Sequence, residues 1–220
     1  MKISTLQILA LIGILGGLLM FIGDMFFYLV PIDGNSFFKG TIFIMSQRQN
    51  LWLVMGALVG PLAGLLLSIS SISIYIALKP YNKFLPIIIS ISFIIIFTFG
   101  GAFQTLYALQ GSYYRIGDPQ IKADVFYYLG QIMNPIQKIM LVFGSLGNFL
   151  FILFILLKKT LYPKWVIFFT PLTALLIVYI YMIVPYPLGA FIVGGWTNIC
   201  LILFFTINYI VFKKSLTKTI

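Results

Sequence analysis

The stretch LQILALIGILGGLLMFIGDMFFYLV, residues Leu6 to Val30, decides the fold, because it is a continuous apolar run interrupted by a single charge, Asp24. A helix needs about 20 apolar residues to cross a bilayer, so this run predicts a spanning helix. Asp24 is then the notable exception. An ionised carboxylate at membrane depth is costly, and such residues usually face a protein interior, a cavity or a partner.

The rest of the chain agrees with that solvent. Hydrophobic residues make up 61% of the 220, charged residues 8%, and the mean hydropathy is +1.10. A soluble domain of this size would carry far more charge. Further apolar runs predict spans at Leu51 to Leu78, Leu85 to Gln110, a fourth starting at Phe126 or Pro135 (about residue 130) and ending at Leu157, Trp165 to Val184, and Gly189 to Phe212. Breakers fall between them at Pro31, Lys79-Pro80, Gly117-Asp118-Pro119, Pro163 and Pro185-Tyr186-Pro187. The expectation is an all-α polytopic protein, a six-helix transmembrane bundle forming one domain over residues 1–220.

Positive residues collect on the cytoplasmic side of short loops. With six spans both termini share a side, and that side would hold Lys2, Lys79, Lys83, Lys158, Lys159, Lys164, Lys213, Lys214 and Lys218. The other would hold only Lys39, Arg48, Arg115, Lys122 and Lys138. Both termini are therefore expected to be cytoplasmic. The net charge of +10 follows from this bias and from scarce acids, so the lipid bilayer, not nucleic acid, is the expected partner. Only Lys2 precedes the first apolar stretch, which is too long for a signal peptide and is expected to remain as a helix.

Absences narrow the chemistry further. The chain has no His and no Glu, and its other acids, Asp33, Asp118 and Asp124, lie in predicted loops. A Ser-His-Asp arrangement is excluded by composition. A hydrolytic metal site or a carboxylate dyad wants several ligands or two acids together within the membrane. No enzyme, catalytic residue, metal or cofactor is expected. The lone Cys200 excludes an intrachain disulfide and reads as a packing residue. Asp118-Pro119 reads as a turn and Asp124 as a helix N-cap.

Depth along each helix stands in for a motif. At about 1.5 Å per residue, Asp24 lies roughly 9 Å below the outer end of its span, and Gln104 lies at the same level on the third. On that scale Tyr107 and Tyr181 are about 5 Å deep, Trp196 about 10 Å and Asn198 about 13 Å, with Lys138 near the start of the fourth helix. If these groups converge, they line a pocket open to the outside. Asp24 supplies its charge, Gln104 and Asn198 its hydrogen-bonding groups, Tyr107, Tyr181 and Trp196 its walls. A small cationic or amine-bearing solute would suit it. The alternative is structural: Asp24, neutral or paired with Lys138 or Arg115, fixes helix register.

Small residues mark packing. Gly56, Gly60, Gly64 and Ser68 recur every fourth residue and form one flat helix face, with Pro61 inside the series as an expected kink. Gly13, Gly16 and Gly17, and Gly144, Ser145 and Gly147, offer similar surfaces. Gly13–Leu19 echoes Gly144–Leu150, Gly60–Leu66 echoes Thr170–Leu176, and Gly100-Gly101 echoes Gly194-Gly195, the order that a duplicated three-helix unit would give. The apolar loop around Phe37 to Met45 is expected to lie at the interface or to fold over the outer mouth.

Gly23-Asp24 with its following aromatic cluster and Tyr28, the Gly60-Pro61 helix and the Gly100-Gly101 helix together resemble small, uncharacterised bacterial multi-pass integral membrane proteins. That resemblance implies a location in the cell (inner) membrane of a bacterium and carries no activity or site residue. The readings in play are a small-solute transporter or membrane-embedded binding protein with its pocket around Asp24, and a non-catalytic scaffold or accessory subunit. The scaffold would dock a membrane partner or a second copy through its glycine-rich helix faces.

Overall fold

The computed structural model describes residues 4–30, 40–172, 184 and 186–217, which are helical with no strand among them. The helices are α1 (Thr5–Tyr28), α2 (Thr41–Ser46), α3 (Asn50–Leu78), α4 (Leu85–Tyr113), α5 (Pro119–Leu157) and α6 (Leu188–Thr217). Five of these, all but the short α2, contain stretches long and apolar enough to cross a membrane.

Local sequence explains the ends. Ser4 Oγ accepts the Gln7 N–H at 3.3 Å while Gln7 Oε1 accepts the Ser4 N–H at 2.9 Å, a reciprocal cap that starts α1. Between α3 and α4, Lys79–Tyr81 forms a 3-10 turn. Asn82 Oδ1 then takes the N–H groups of Phe84 and Leu85 at 2.9 and 3.0 Å.

The fourth long helix differs from its expected bounds. It begins at Pro119 and continues through Pro135. Asp118, not Asp124, is its N-cap, its Oδ1 accepting the N–H groups of Gln120 and Ile121 at 2.8 and 3.1 Å, and Pro119 fits the first helical position because its missing N–H is not needed there. Asp124 lies one turn inside and accepts from Gln120 Nε2 at 3.1 Å. At 39 residues the helix is about 58 Å long, well beyond a hydrocarbon core of about 30 Å.

The predicted span Trp165 to Val184 lies mostly outside the described residues, as does half of the Thr170–Leu176 echo. Its start is a 3-10 stretch, Lys164–Phe169, followed by extended backbone at Thr170 and a new helical start at Pro171. Leu172 N–H donates to Asn148 Oδ1 at 3.3 Å. The chain has thus turned back beside the last third of α5.

Packing orders the long helices as an arc, α5 against α4, α4 against α3, α3 against α1 and α1 against α6. Glycines set the closest approaches. A Cβ on Gly64 would stand 2.5 Å from the Phe97 carbonyl oxygen, and one on Gly101 2.8 Å from that of Gly60, so α3 and α4 meet backbone to backbone. Ser68 continues this face, its Oγ 3.1 Å from Thr98 Oγ1. Gly56, at the other end of the series, meets the Phe27 ring of α1 instead. Pro61 sits within α3 without ending it. One core cluster, built on Phe93, Phe151, Phe204, Phe205 and Phe212, fills the half of the bundle nearer Lys79. A second, around Phe27, Ile44, Met45 and Leu53, fills the α2 end.

Candidate functional site

Asp24 lies one turn before the end of α1, on the concave side of the arc. Gln104 Nε2 of α4 donates to its Oδ1 at 2.5 Å, and Asn198 Nδ2 of α6 donates to its Oδ2 at 2.7 Å. Asn198 spends its second N–H on the Gly194 carbonyl at 3.0 Å. Three helices distant in sequence therefore meet at one carboxyl group. Among the described residues no lysine or arginine pairs with it: Arg115 donates to the Ser46 carbonyl and to Asn50 Oδ1, each at 2.7 Å, and Lys138 is exposed.

Glycines seat the amide of Gln104. A Cβ on Gly23 would come within 3.2 Å of Gln104 Nε2, and one on Gly60 would strike Gln104 Oε1 and come within 2.8 Å of its Cβ. The Gly60 side leaves no room for a side chain, and the Gly23 side is tight. Gln104 Oε1 is itself buried and has no hydrogen-bond partner among the described residues.

A cavity of about 430 Å³ adjoins this group, lined from α1, α4, α5 and α6 with Leu67 of α3. Asp24, Gln104, Asn198 and Tyr107 all reach it. Tyr107 stacks on Phe103 with ring centroids 5.8 Å apart, and its hydroxyl hydrogen-bonds Thr41 Oγ1. Through Thr41 the short helix α2 covers the Asp24 end of the bundle, with Ile44 and Met45 buried beneath it. Residues 40–50 of this loop pack on α4 and α1. Two arginines fasten it, Arg115 through the Ser46 carbonyl and Arg48 through the Phe26 carbonyl at 2.8 Å with its guanidinium 4.9 Å from the Trp52 ring.

Other expected site residues stand apart. Lys138 is not part of the lining; its neighbour Gln137 is, followed by Met140, Leu141, Gly144, Ser145 and Asn148. These recur at helical spacing, and the one-residue offset points Lys138 away by about 100°. Trp196 is half-buried and off the lining, whereas Thr197 and Leu201 are on it. Tyr181 lies outside the described residues. Gly60 touches the site through Gln104, while Gly56, Gly64 and Ser68 serve packing alone. No group of three His, Cys, Asp or Glu side chains suited to a metal occurs among the described residues.

The arrangement presents a carboxyl group whose two oxygens each accept one amide N–H and keep a further lone pair. It can accept hydrogen bonds and attract positive charge.

Residues 1–215 match a family described as "Family of unknown function (DUF6796)", and the chain belongs to it. No curated protein and no solved structure matches the chain.

Proposed function

We propose that this family member is a small-solute transporter or membrane-embedded binding protein whose cavity around Asp24 takes a cationic or amine-bearing molecule. One observation carries the reading: Asp24 has two amide donors, no cationic side chain among the described residues, and an adjoining cavity of about 430 Å³. A buried carboxylate left without a counter-charge is unfavourable, and a bound cation relieves that cost. Five long apolar helices support a multi-pass protein; a sixth span within 165–184, cytoplasmic termini and a bacterial inner membrane complete the proposal from the sequence and the lysine bias.

The scaffold alternative relies on glycine-rich faces being free for a partner. Gly13, Gly17, Gly64, Gly147 and Gly194 each face another part of this same chain at distances that leave no room for a Cβ. Those faces are spent internally, which favours the binding reading. A homo-oligomer would have to use other surfaces.

The test is uptake and binding of a panel of primary amines by the protein in liposomes. Asp24→Asn is expected to abolish both while the protein still inserts and folds. Undiminished uptake by Asp24→Asn would overturn the proposal.

A further inference from the structure

The cavity has a direction. Its lining runs along α4 from Ile96 to Tyr107 and along α5 from Gln137 to Asn148, about 16 Å of rise on each helix. A volume of about 430 Å³ drawn out over that length makes a slot that is long and narrow. Charge gathers at one end, where Asp24, Gln104 and Asn198 meet. Beyond them the wall is mostly hydrocarbon, ring and thioether, through Met20, Leu67, Phe97, Met140 and Leu201, with the Ser145 hydroxyl as its polar group beside Asn148. Asn148 stands at the far end, but its amide is engaged, Nδ2 donating to the Gly144 carbonyl at 2.8 Å and Oδ1 accepting from Leu172.

A compact hydrophilic cation would satisfy Asp24 and leave most of this slot facing apolar walls. A molecule with a tail would fill both parts. Arriving from water, its tail gains about 25 cal/mol for each Å² of hydrocarbon buried. Arriving from the bilayer, it exchanges one apolar surrounding for another while its head gains a carboxylate. The polar walls nearest Asp24 are amides, which suit a head with N–H donors, since the Asp24 oxygens retain lone pairs to receive them.

Resting on the function proposed above, we infer that the ligand is a single-tailed amphiphile with a primary ammonium head, the head at Asp24 and the tail running along the slot toward Asn148. This chemistry is shared by free long-chain alkylamines and by membrane lysolipids with an ethanolamine head.

The test uses the full chain in phosphatidylcholine nanodiscs, with thermal unfolding followed in the presence of ethylamine, decylamine, decanol or lysophosphatidylethanolamine. A ligand that prefers the folded state raises the melting temperature. Decylamine, lysophosphatidylethanolamine or both are expected to raise it by several degrees, the responder identifying the source, while ethylamine and decanol at equal concentration leave it unchanged. Asp24→Asn is expected to remove the shift. Met140→Trp, which fills the slot at its middle and leaves the Asp24 end intact, is expected to remove it as well. Equal shifts from ethylamine and decylamine, both lost in Asp24→Asn, would overturn the amphiphile and leave the cation-binding reading standing. Equal shifts from decanol and decylamine, or no shift from any amine, would overturn both.

Discussion

Buried polar groups occur at both ends of this bundle, and their surroundings differ in kind. At the α2 end Asp24, Gln104 and Asn198 bond to one another and border a cavity. In the opposite half Ser70 Oγ, Tyr162 OH and both amide atoms of Asn208 are buried without a hydrogen-bond partner among the described residues. Tyr162 is set among aromatic rings, its centroid 5.3 Å from that of Phe151 and 5.9 Å from that of Phe212, and burial pushes its phenol well above the ordinary range. Burial of a polar group is thus a poor sign of function when taken alone. Convergence from several helices beside open volume is the stronger one.

Four substitutions sharpen or break that contrast. The largest effect is expected where neither region is touched directly: Gly64→Leu forces α3 away from the Phe97 carbonyl and should cost about 3 kcal/mol or more, read as lost folded yield and a lower melting temperature. Asn208→Leu comes next. It replaces two unpartnered polar atoms by hydrocarbon of similar volume and should stabilise the protein by about 1–3 kcal/mol; a loss of stability would mean that Asn208 has a partner, such as a bound water, and would erase the difference between the two regions. Gly60→Ala displaces the Gln104 amide, and the expected outcome is about a tenfold weaker amine affinity, equivalent to about 1.4 kcal/mol, measured by titration in nanodiscs. Unchanged affinity would detach the glycine series from the site. Tyr162→Phe has the smallest effect, a gain of about 1 kcal/mol or less in denaturant unfolding.

The helical, apolar architecture was legible because a bilayer permits few solutions and rewards long unbroken apolar runs. Residue depth also placed Asp24 and Gln104 at one level, and with Asn198 they meet. Azimuth around each helix was harder to read than depth. Lys138 and Trp196 sit at suitable heights yet face away, and their neighbours Gln137 and Thr197 line the cavity instead. The start of α5 differs from the expected one because Asp118-Pro119 suits a turn and a helix start equally well, and only the capping bonds to Gln120 and Ile121 distinguish them. The four-residue spacing of the glycine series predicts a helix-packing face; that Gly60 also makes room for a distant glutamine depends on which helix lies opposite.

The most direct measurement is the melting temperature of ligand-free Asp24→Asn against the wild type, followed by titration of both with decylamine. If the carboxylate waits for a cation, the variant melts at or above the wild-type temperature and the amine adds nothing to it. A variant that melts several degrees lower, and that the amine still stabilises, would show Asp24 to be a strut between α1, α4 and α6 and would contradict the account.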